Sequence, residues 1–246
     1  MSEKKQGKRS AEEAEETKSH ILSVAGGLFC ELGYSRVSLR NISEQAGVSH
    51  SLIRYHFGSK ENIWYAVSDA LHLFIGQYIE QLVDDLPKHK ASNVQFYEFV
   101  VRLLALLLVE PKPIQFISDT VRQEGKFVDY FLGKHGEEEK ALITLRENYN
   151  HENPNEPINL WEIKWLLLNS AHSAATLKPV LNIVWNENTT DPEEILYRHW
   201  NLFNKQMAVL FNINQQQILH PKNLETLLLP YECRIKVCSV KLKEEE

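Results

Sequence analysis

The sequence predicts an all-α protein, with a small three-helix head followed by a larger helical body. Three observations carry this prediction. Apolar residues recur at steps of three and four over most of the chain, and glycine, proline and asparagine separate the periodic segments. Neither alternation of strands with helices nor an internal repeat is present in the pattern. With 43% hydrophobic and 24% charged residues in 246, the chain has the composition of a globular protein.

The first 17 residues predict a disordered tail. They hold the basic cluster Lys4, Lys5, Lys8 and Arg9, followed by the acidic stretch AEEAEE, and they offer no apolar face to bury. The basic cluster has two interpretations: a solvated tail, or an arm that reaches into a DNA groove.

Four helices are predicted between Lys18 and Pro87. The first carries Ile21, Ala25 and Phe29 on one face and ends at Gly33. The second begins at the N-cap residue Ser38 and ends at Gly47, and the third begins at Ser49 and ends at Gly58. Ser59 caps a fourth, long amphipathic helix that reaches Pro87. We expect residues 18–65 to form the head and residues 66–246 to form the body.

Beyond Pro87 the pattern predicts further helices and one exception. The predicted helices cover residues 92–109, 113–124, 136–150, 158–186, 192–212 and 222–229. In the stretch YECRIKV, which starts at Tyr231, apolar and charged residues alternate with the period of a strand. We therefore expect a short β-like C-terminal extension, to which the sequence assigns no role.

Charge and motifs exclude several classes of function. The net charge is −6, but residues 1–60 hold nine Lys or Arg against seven Asp or Glu, so a polyanionic partner would meet the N-terminal part. No phosphate-binding loop, nucleophile elbow, CxxC or HExxH occurs, so we expect no enzyme, cofactor or metal. The three cysteines fit a reducing compartment, and neither a signal peptide nor a membrane span is predicted. These observations indicate a cytoplasmic protein.

The segment from Ser38 to Lys60 contains the side chains that indicate a function. It reads SLRNISEQAGVSHSLIRYHFGSK, and its apolar residues lock two short helices across a turn that contains a glycine. Arginine can pair with two acceptors of guanine, and hydroxyl, Tyr, His and Lys groups can bind phosphates. The polar face therefore favours a helix-turn-helix that binds double-stranded DNA, and the alternative is a solvated face on an ordinary helical hairpin. The polar residues on this side are Arg40, His50, Ser51, Arg54, Tyr55, His56 and Lys60.

The same residues resemble the TetR/AcrR-type transcriptional regulators. The resemblance covers Ile21 to about Leu71 and includes Gly33-Tyr34, Ala46-Gly47-Val48-Ser49, Tyr55-His56-Phe57 and Ser59-Lys60-Glu61. It implies a three-helix DNA-binding head, a long fourth helix into a variable helical body, and a homodimer paired through the two long C-terminal helices. Such a dimer would bind a palindromic operator.

The resemblance also implies roles for single residues. Ser38 and Arg40 would meet DNA from the start of the second helix, and Ser49, His50 and Ser51 lie at the head of the recognition helix. Tyr55 and His56 would contact phosphates or sugars, and Lys60 would hold a phosphate. The family often has Tyr where this chain has Arg54, so Arg54 would contribute either a charged backbone contact or a base contact.

The body has a candidate effector pocket and a candidate dimer interface. The aromatic and polar residues that could line the pocket are equally suited to an ordinary core or to dimer packing. Small residues at 170–175 allow close approach of another helix, which favours dimer packing around 158–186 and 192–212. The candidate pocket residues are Phe96, Phe99, Leu103, Phe116, Trp161, Trp165, His172 and Trp200.

We therefore expect a sequence-specific DNA-binding repressor that is released by a small apolar or aromatic effector. The alternative is an interaction protein of the same fold that acts mainly through protein contacts. The effector, the operator, the regulated genes and the choice between repressor and activator are not encoded in any motif.

Overall fold

A computed structural model describes residues 3–123, 125–133, 140–185 and 189–231, and these residues form α-helices, 3₁₀ turns and loops without a strand. The prediction of an all-α protein is confirmed. The strand expected from residue 231 onward lies outside the described residues, apart from Tyr231 itself. The head and the first part of the body contain α1 (Glu3–Leu32), α2 (Leu39–Ala46), α3 (His50–Phe57), α4 (Lys60–Asp85) and α5 (Ser92–Val109). The rest of the body contains α6 (Lys112–Thr120), α7 (Lys126–Gly133), α8 (Lys140–Glu152), α9 (Leu160–Thr176), α10 (Lys178–Trp185) and α11 (Pro192–Leu210).

Helix α1 starts at Glu3, so the prediction of a disordered tail over residues 1–17 is wrong for the described part of that segment. Residues 11–16 are exposed, in keeping with the absence of an apolar face. Their helical state follows from composition, because Glu, Ala, Lys and Gln are strong helix formers. Lys18 lies 4.0 Å from Glu15 one turn earlier, a spacing that supports an exposed helix.

Helix α4 connects the head to the body through one continuous core. Ile63, Trp64 and Val67 are buried in the first turns of the helix, where the Trp64 ring lies 5.2 Å from that of Phe116 on α6. Phe74, Tyr78 and Leu82 are buried further along the same helix. Buried residues from Ile21 to Tyr231 belong to a single hydrophobic cluster. The predicted boundary at residue 65 falls inside this continuous helix.

Helix α5 is the centre of the body. All but four of its 18 residues are buried, and it packs against α8, α9 and α11. By length and composition it could cross a membrane, but 78% of it is buried inside the protein, as expected of a core helix.

Three helix predictions in the body need correction. The single helix predicted over 158–186 is two helices, α9 and α10, separated at Leu177. Pro179 explains the break, because it has no N–H and its ring clashes with the carbonyl group of Ala175 in a continuous helix. Helix α7 was not predicted, and the helix predicted over 222–229 is only the 3₁₀ turn Leu224–Leu227.

The segment after α11, residues 212–231, forms a strap across α4 and α5. The Tyr97 hydroxyl donates to Asn204 Oδ1 (2.6 Å) and accepts from the Leu219 N–H (2.8 Å). The Leu229 N–H donates to the hydroxyl of Tyr78 on α4 (3.3 Å). Burial raises the pKa of Tyr97 to about 12, so its hydroxyl remains a donor at physiological pH. These contacts hold the end of the described chain against both helices.

Candidate DNA-binding surface

Local hydrogen bonds fix the two helices of the helix-turn-helix. Ser38 Oγ accepts from the Asn41 N–H (3.1 Å), and Asn41 Oδ1 accepts from the Ser38 N–H (2.9 Å), which makes a reciprocal capping box at the start of α2. Helix α2 ends at Gly47, whose φ of 64° lies in the left-handed region that favours glycine. Ser49 Oγ then accepts from the Leu52 N–H (3.2 Å) and caps α3. The predicted helix, turn and helix are thus present with the predicted caps.

The first turns of α3 present polar side chains to solvent. His50, Ser51, Arg54 and Tyr55 are exposed, and Tyr55 is 81% exposed although it is aromatic. The opposite side of α3 buries Ile53 and Phe57 in the core. The Ser49 and Ser51 hydroxyls lie 2.9 Å apart. Helix α3 therefore combines a locked inner face with an accessible outer face of donors and acceptors, as a recognition helix requires.

Arg40 lies on the exposed side of α2, where it forms an ion pair with Glu44. Its Nε donates to Glu44 Oε1 at 2.8 Å, and this hydrogen bond raises the pKa of Arg40. The two side chains are 84% and 59% exposed, so the pair contributes little to stability and can be exchanged for another anion. Sequence reasoning did not identify Glu44, although its position four residues after Arg40 is the signal for such a pair.

Two predicted contact residues are partly committed to their neighbours. The Ser38 hydroxyl donates to Asn41 Oδ1 at 2.6 Å within the cap. His56 is half-buried, with its ring 5.2 Å from that of Tyr55 and 6.4 Å from that of Phe57. The contacts of Ser38 and His56 with DNA stay predictions, and each residue would have to make its contact while it keeps the neighbours described above.

Lys60 occupies a different environment from the one predicted. Its ammonium group donates to the carbonyl oxygens of Tyr34 (2.9 Å) and Val37 (2.8 Å), and it lies 4.0 Å from the centre of the Tyr34 ring. Burial lowers the pKa of Lys60. Two of its three donors are therefore used within the protein, and the phosphate contact of Lys60, which stays a prediction, would have to use the third. Lys60 closes the 3₁₀ turn Tyr34–Arg36 that joins α1 to α2.

A joint between head and body was missed by sequence reasoning. Asp119 on α6 accepts from the Tyr34 N–H through Oδ2 at 2.7 Å. Beside this bond, the chain passes through Gly33 with φ 81° and ψ 155°, and a Cβ there would lie 2.5 Å from Asp119 Oδ1. The ammonium group of Lys126 lies 2.6 Å from Glu61, which adds an ion pair between α7 and the start of α4. These contacts set the position of the helix-turn-helix relative to the body.

The eight residues predicted to line an effector pocket divide into buried and exposed ones. Five of them, Phe96, Phe99, Leu103, Phe116 and Trp200, are at most 5% exposed and pack in the core. Trp161 and Trp165 are 61% and 67% exposed on α9, separate from the five buried residues, and the predicted pocket stays a prediction.

The polar groups of this set also have structural partners. His172 Nδ1 lies 2.5 Å from Ser118 Oγ, and the Trp200 indole N–H donates to the Val101 carbonyl at 2.8 Å. Because Ser118 Oγ also donates to the Ile114 carbonyl (2.7 Å), its single proton leaves His172 to donate from Nδ1. The described residues contain no group of three side chains suited to hold a metal ion.

The geometry therefore defines a helix-turn-helix head on an all-α body, and the sequence of that head matches a known family. Residues 21–67 match the family of bacterial regulatory proteins called the tetR family. This match covers the same residues as the resemblance found in the sequence, from Ile21 to about Leu71, and confirms that resemblance.

Curated relatives cover the head and little more. The chain is similar to the transcriptional regulator TtgR of Pseudomonas putida, with 38% identity over 65 residues, which are 26% of this chain and 31% of TtgR. It is also similar to AcrR of Shigella flexneri, with 36% identity over 70 residues, 28% of this chain and 33% of AcrR. The match thus spans about a third of the length of these relatives.

Solved structures resemble the whole fold. The FadR regulator of Bacillus subtilis, solved with stearoyl-CoA, aligns with a TM-score of 0.50 and 16% identity over 80% of this chain and 98% of that chain. A gamma-butyrolactone receptor described as ArpA-like aligns with a TM-score of 0.51 and 15% identity over 81% of this chain and 96% of that chain. At this level of identity the likeness concerns the fold alone.

Proposed function

We propose that this protein is a cytoplasmic transcriptional repressor that binds a palindromic DNA operator as a homodimer and is released by a small apolar or aromatic effector. The exposed polar surface at the head of α3, locked from behind by Ile53 and Phe57, is the observation that carries the proposal. The tetR-family match of residues 21–67 supports it.

Base contact is assigned to His50 and Arg54, which are exposed on α3, and to Arg40 on α2. An operator selected from random duplexes provides the probe, and fluorescence anisotropy provides the affinity. Replacing a residue that makes a good base contact should reduce discrimination between the operator and a scrambled duplex by about 1–3 kcal/mol. Gln45→Ala, an exposed change on α2 outside the assigned set, is the control.

Two results of this assay would refute DNA readout by the assigned residues. One is uniform loss of affinity for all duplexes in the Arg54→Ala variant. The other is wild-type binding without the dependence on salt that phosphate contacts impose. The second result would favour the interaction protein of the same fold.

Pairing of two copies is assigned to α9 and α11. Trp161, Trp165 and Leu168 recur at helical spacing on the exposed side of α9, and Val209 on α11 is 83% exposed. Exposed apolar side chains of this size are typical of protein interfaces. A dimer also doubles the contacts of a small head and matches an inverted repeat.

Light scattering at micromolar concentration tests the pairing. The wild-type chain should have the mass of a dimer, and Trp165→Glu should shift it to a monomer because a charge would be buried in the interface. Tyr55→Glu, an equal change at an exposed aromatic residue of the head, should leave the mass unchanged. A dimer that persists in the Trp165→Glu variant would place the interface elsewhere.

The effector is assigned to the buried aromatic residues of the body, among them Phe96 on α5 and Phe116 on α6. Since Phe96 and Phe116 are at most 1% exposed, a ligand must displace helices in order to enter. To move the DNA-competent population from about 99:1 to 1:99, the ligand must favour one state by roughly 10⁴-fold.

A library of fatty acids and aromatic compounds, titrated against the operator complex, tests this assignment. A compound that releases DNA should lose potency when Phe99→Ala opens the core. Release with unchanged potency in that variant would move the site elsewhere.

A further inference from the structure

Helix α10 is short, and none of its residues is buried. Five of its eight residues are nevertheless apolar: Val180, Leu181, Ile183, Val184 and Trp185. Helices shorter than about 12–15 residues are marginal in water by themselves, and most of the stability of a helix in a protein comes from the packing of its apolar face. Helix α10 therefore needs more packing than its own chain gives it.

The apolar side chains of α10 form two faces. Leu181 and Trp185 lie one turn apart and are half-buried, and the helix packs against α9 and α11. Val180 and Val184 also lie one turn apart and are 53% and 58% exposed, and Ile183 beside them is 73% exposed. The helix thus presents a second apolar face to solvent.

Exposed apolar side chains are concentrated in this part of the body. The described part of the chain has fifteen large apolar side chains that are exposed, and eleven of them lie between residues 161 and 210. Single exposed apolar residues scattered over a surface are ordinary, whereas a cluster of them is typical of an interaction site. Because α10 packs against both α9 and α11, its exposed face adjoins the helices to which the pairing of two copies is assigned.

The area that a stable dimer needs favours a second copy as the partner of α10. A specific interface takes about 800 Å² from each partner. Trp161 and Trp165 are 61% and 67% exposed, and at about 150–250 Å² for a large aromatic side chain they offer roughly 200–320 Å² together. More than half of the area must therefore come from neighbouring side chains, and α10 carries three that are exposed and apolar.

We propose that α10 is part of the dimer interface, with Val180, Ile183 and Val184 of each copy packed against the second copy. This inference rests on the pairing proposed above and identifies a third helix that takes part in it. In a two-fold dimer every such side chain is buried twice, so α10 contributes six apolar side chains to one interface. Since the second copy supplies the packing that α10 lacks, pairing stabilises this helix.

Matched glutamate variants test the proposal. Sedimentation velocity over a dilution series gives the dissociation constant of the dimer. Val180→Glu and Val184→Glu should each raise this constant at least about tenfold, because each change removes a buried apolar side chain and places a charge in the interface, twice per dimer. Val121→Glu at the end of α6 is the control, since Val121 is 57% exposed and lies outside the surface, and it should leave the constant unchanged.

Hydrogen exchange in the unsubstituted chain gives a measurement that depends on no variant. The backbone amides of α10 should exchange at least about tenfold more slowly at protein concentrations above the dissociation constant than below it, because the second copy stabilises the helix. The amides of α2 in the head should exchange at the same rate at both concentrations.

The outcomes separate this proposal from the pairing through α9. If Val184→Glu weakens the dimer and Trp165→Glu does not, α10 pairs the two copies and the assignment to α9 is wrong. If Trp165→Glu weakens the dimer while Val180→Glu and Val184→Glu behave like Val121→Glu, the pairing stands and the role of α10 is refuted. Exchange of the α10 amides that does not depend on protein concentration would also overturn the proposal, and a chain that is monomeric at every concentration would overturn both.

Discussion

The joint between Gly33 and Asp119 allows a test by a double-mutant cycle. Asp119→Ala removes the acceptor of the Tyr34 N–H, and a backbone donor left unsatisfied in a part-buried position costs about 1–3 kcal/mol. Gly33→Ala places a side chain on a backbone with φ 81° and ψ 155°, which costs about 1–3 kcal/mol. The new Cβ would also lie 2.5 Å from Asp119 Oδ1 and displace the carboxylate.

The cycle separates these two costs. If Gly33→Ala breaks the Asp119 bond by displacement, it should cost about 2–6 kcal/mol alone, the sum of strain and the lost bond. Asp119→Ala should then add little in the double variant, since the bond is already lost. The two single effects would therefore exceed the double effect by about 1–3 kcal/mol, a coupling expected of groups in contact.

Urea unfolding at equal protein concentration gives the free energies, provided that the slope m is the same in all variants. Hydrogen exchange at the Tyr34 amide should accelerate in both single variants. Asp119→Asn, which keeps an acceptor oxygen, is the control and should retain most of the protection. Additive single effects, to within about 0.5 kcal/mol, would show that the two residues are not coupled and would refute the reasoning.

Three further predictions concern other parts of the fold. Hydrogen bonds from the Ser92 hydroxyl and N–H lower the pKa of Glu152. The contribution of Glu152 to stability is therefore present above about pH 4.5 and is lost as the pH falls through the lowered pKa. Glu152→Gln should make the free energy of unfolding less dependent on pH in that range. Tyr97→Phe should cost about 1–3 kcal/mol in urea, because Leu219 and Asn204 lose their partner, and an unchanged midpoint would contradict the strap. Lys60→Met should lower the melting temperature, because the carbonyl oxygens of Tyr34 and Val37 lose their donor, and should leave the dependence of DNA binding on salt nearly unchanged. An unchanged melting temperature with a reduced salt dependence would support the phosphate role.

The helix-turn-helix could be predicted because its signals are local. Ser38, Gly47 and Ser49 each act on backbone groups within a few residues, and the structure places all three as caps. Apolar periodicity located the inner faces of α2 and α3 for the same reason.

The features that sequence reasoning missed depend on contacts between distant residues or on weaker sequence signals. Asp119 lies 85 residues from Tyr34, and no pattern connects them. Periodicity marks one face of α9 but does not say what covers it, so Trp161 and Trp165 could not be separated from core aromatics such as Trp200. The start of α1 was missed because a helix without an apolar face has only residue propensity as its signal.

The strap across α4 and α5 has a consequence for the order in which the chain folds during synthesis. Tyr97 meets Leu219 only after another 122 residues have been made, and Tyr78 meets Leu229 only after 151. At about 5–20 residues per second, the apolar surface of α5 waits roughly 6–24 s for its last partners. The head can bury Ile21, Ile42 and Ile53 well before that time. We therefore expect nascent chains halted before α11 to carry a folded head on a body that still exposes α5, and to be the species that chaperones bind and that aggregates when they are absent.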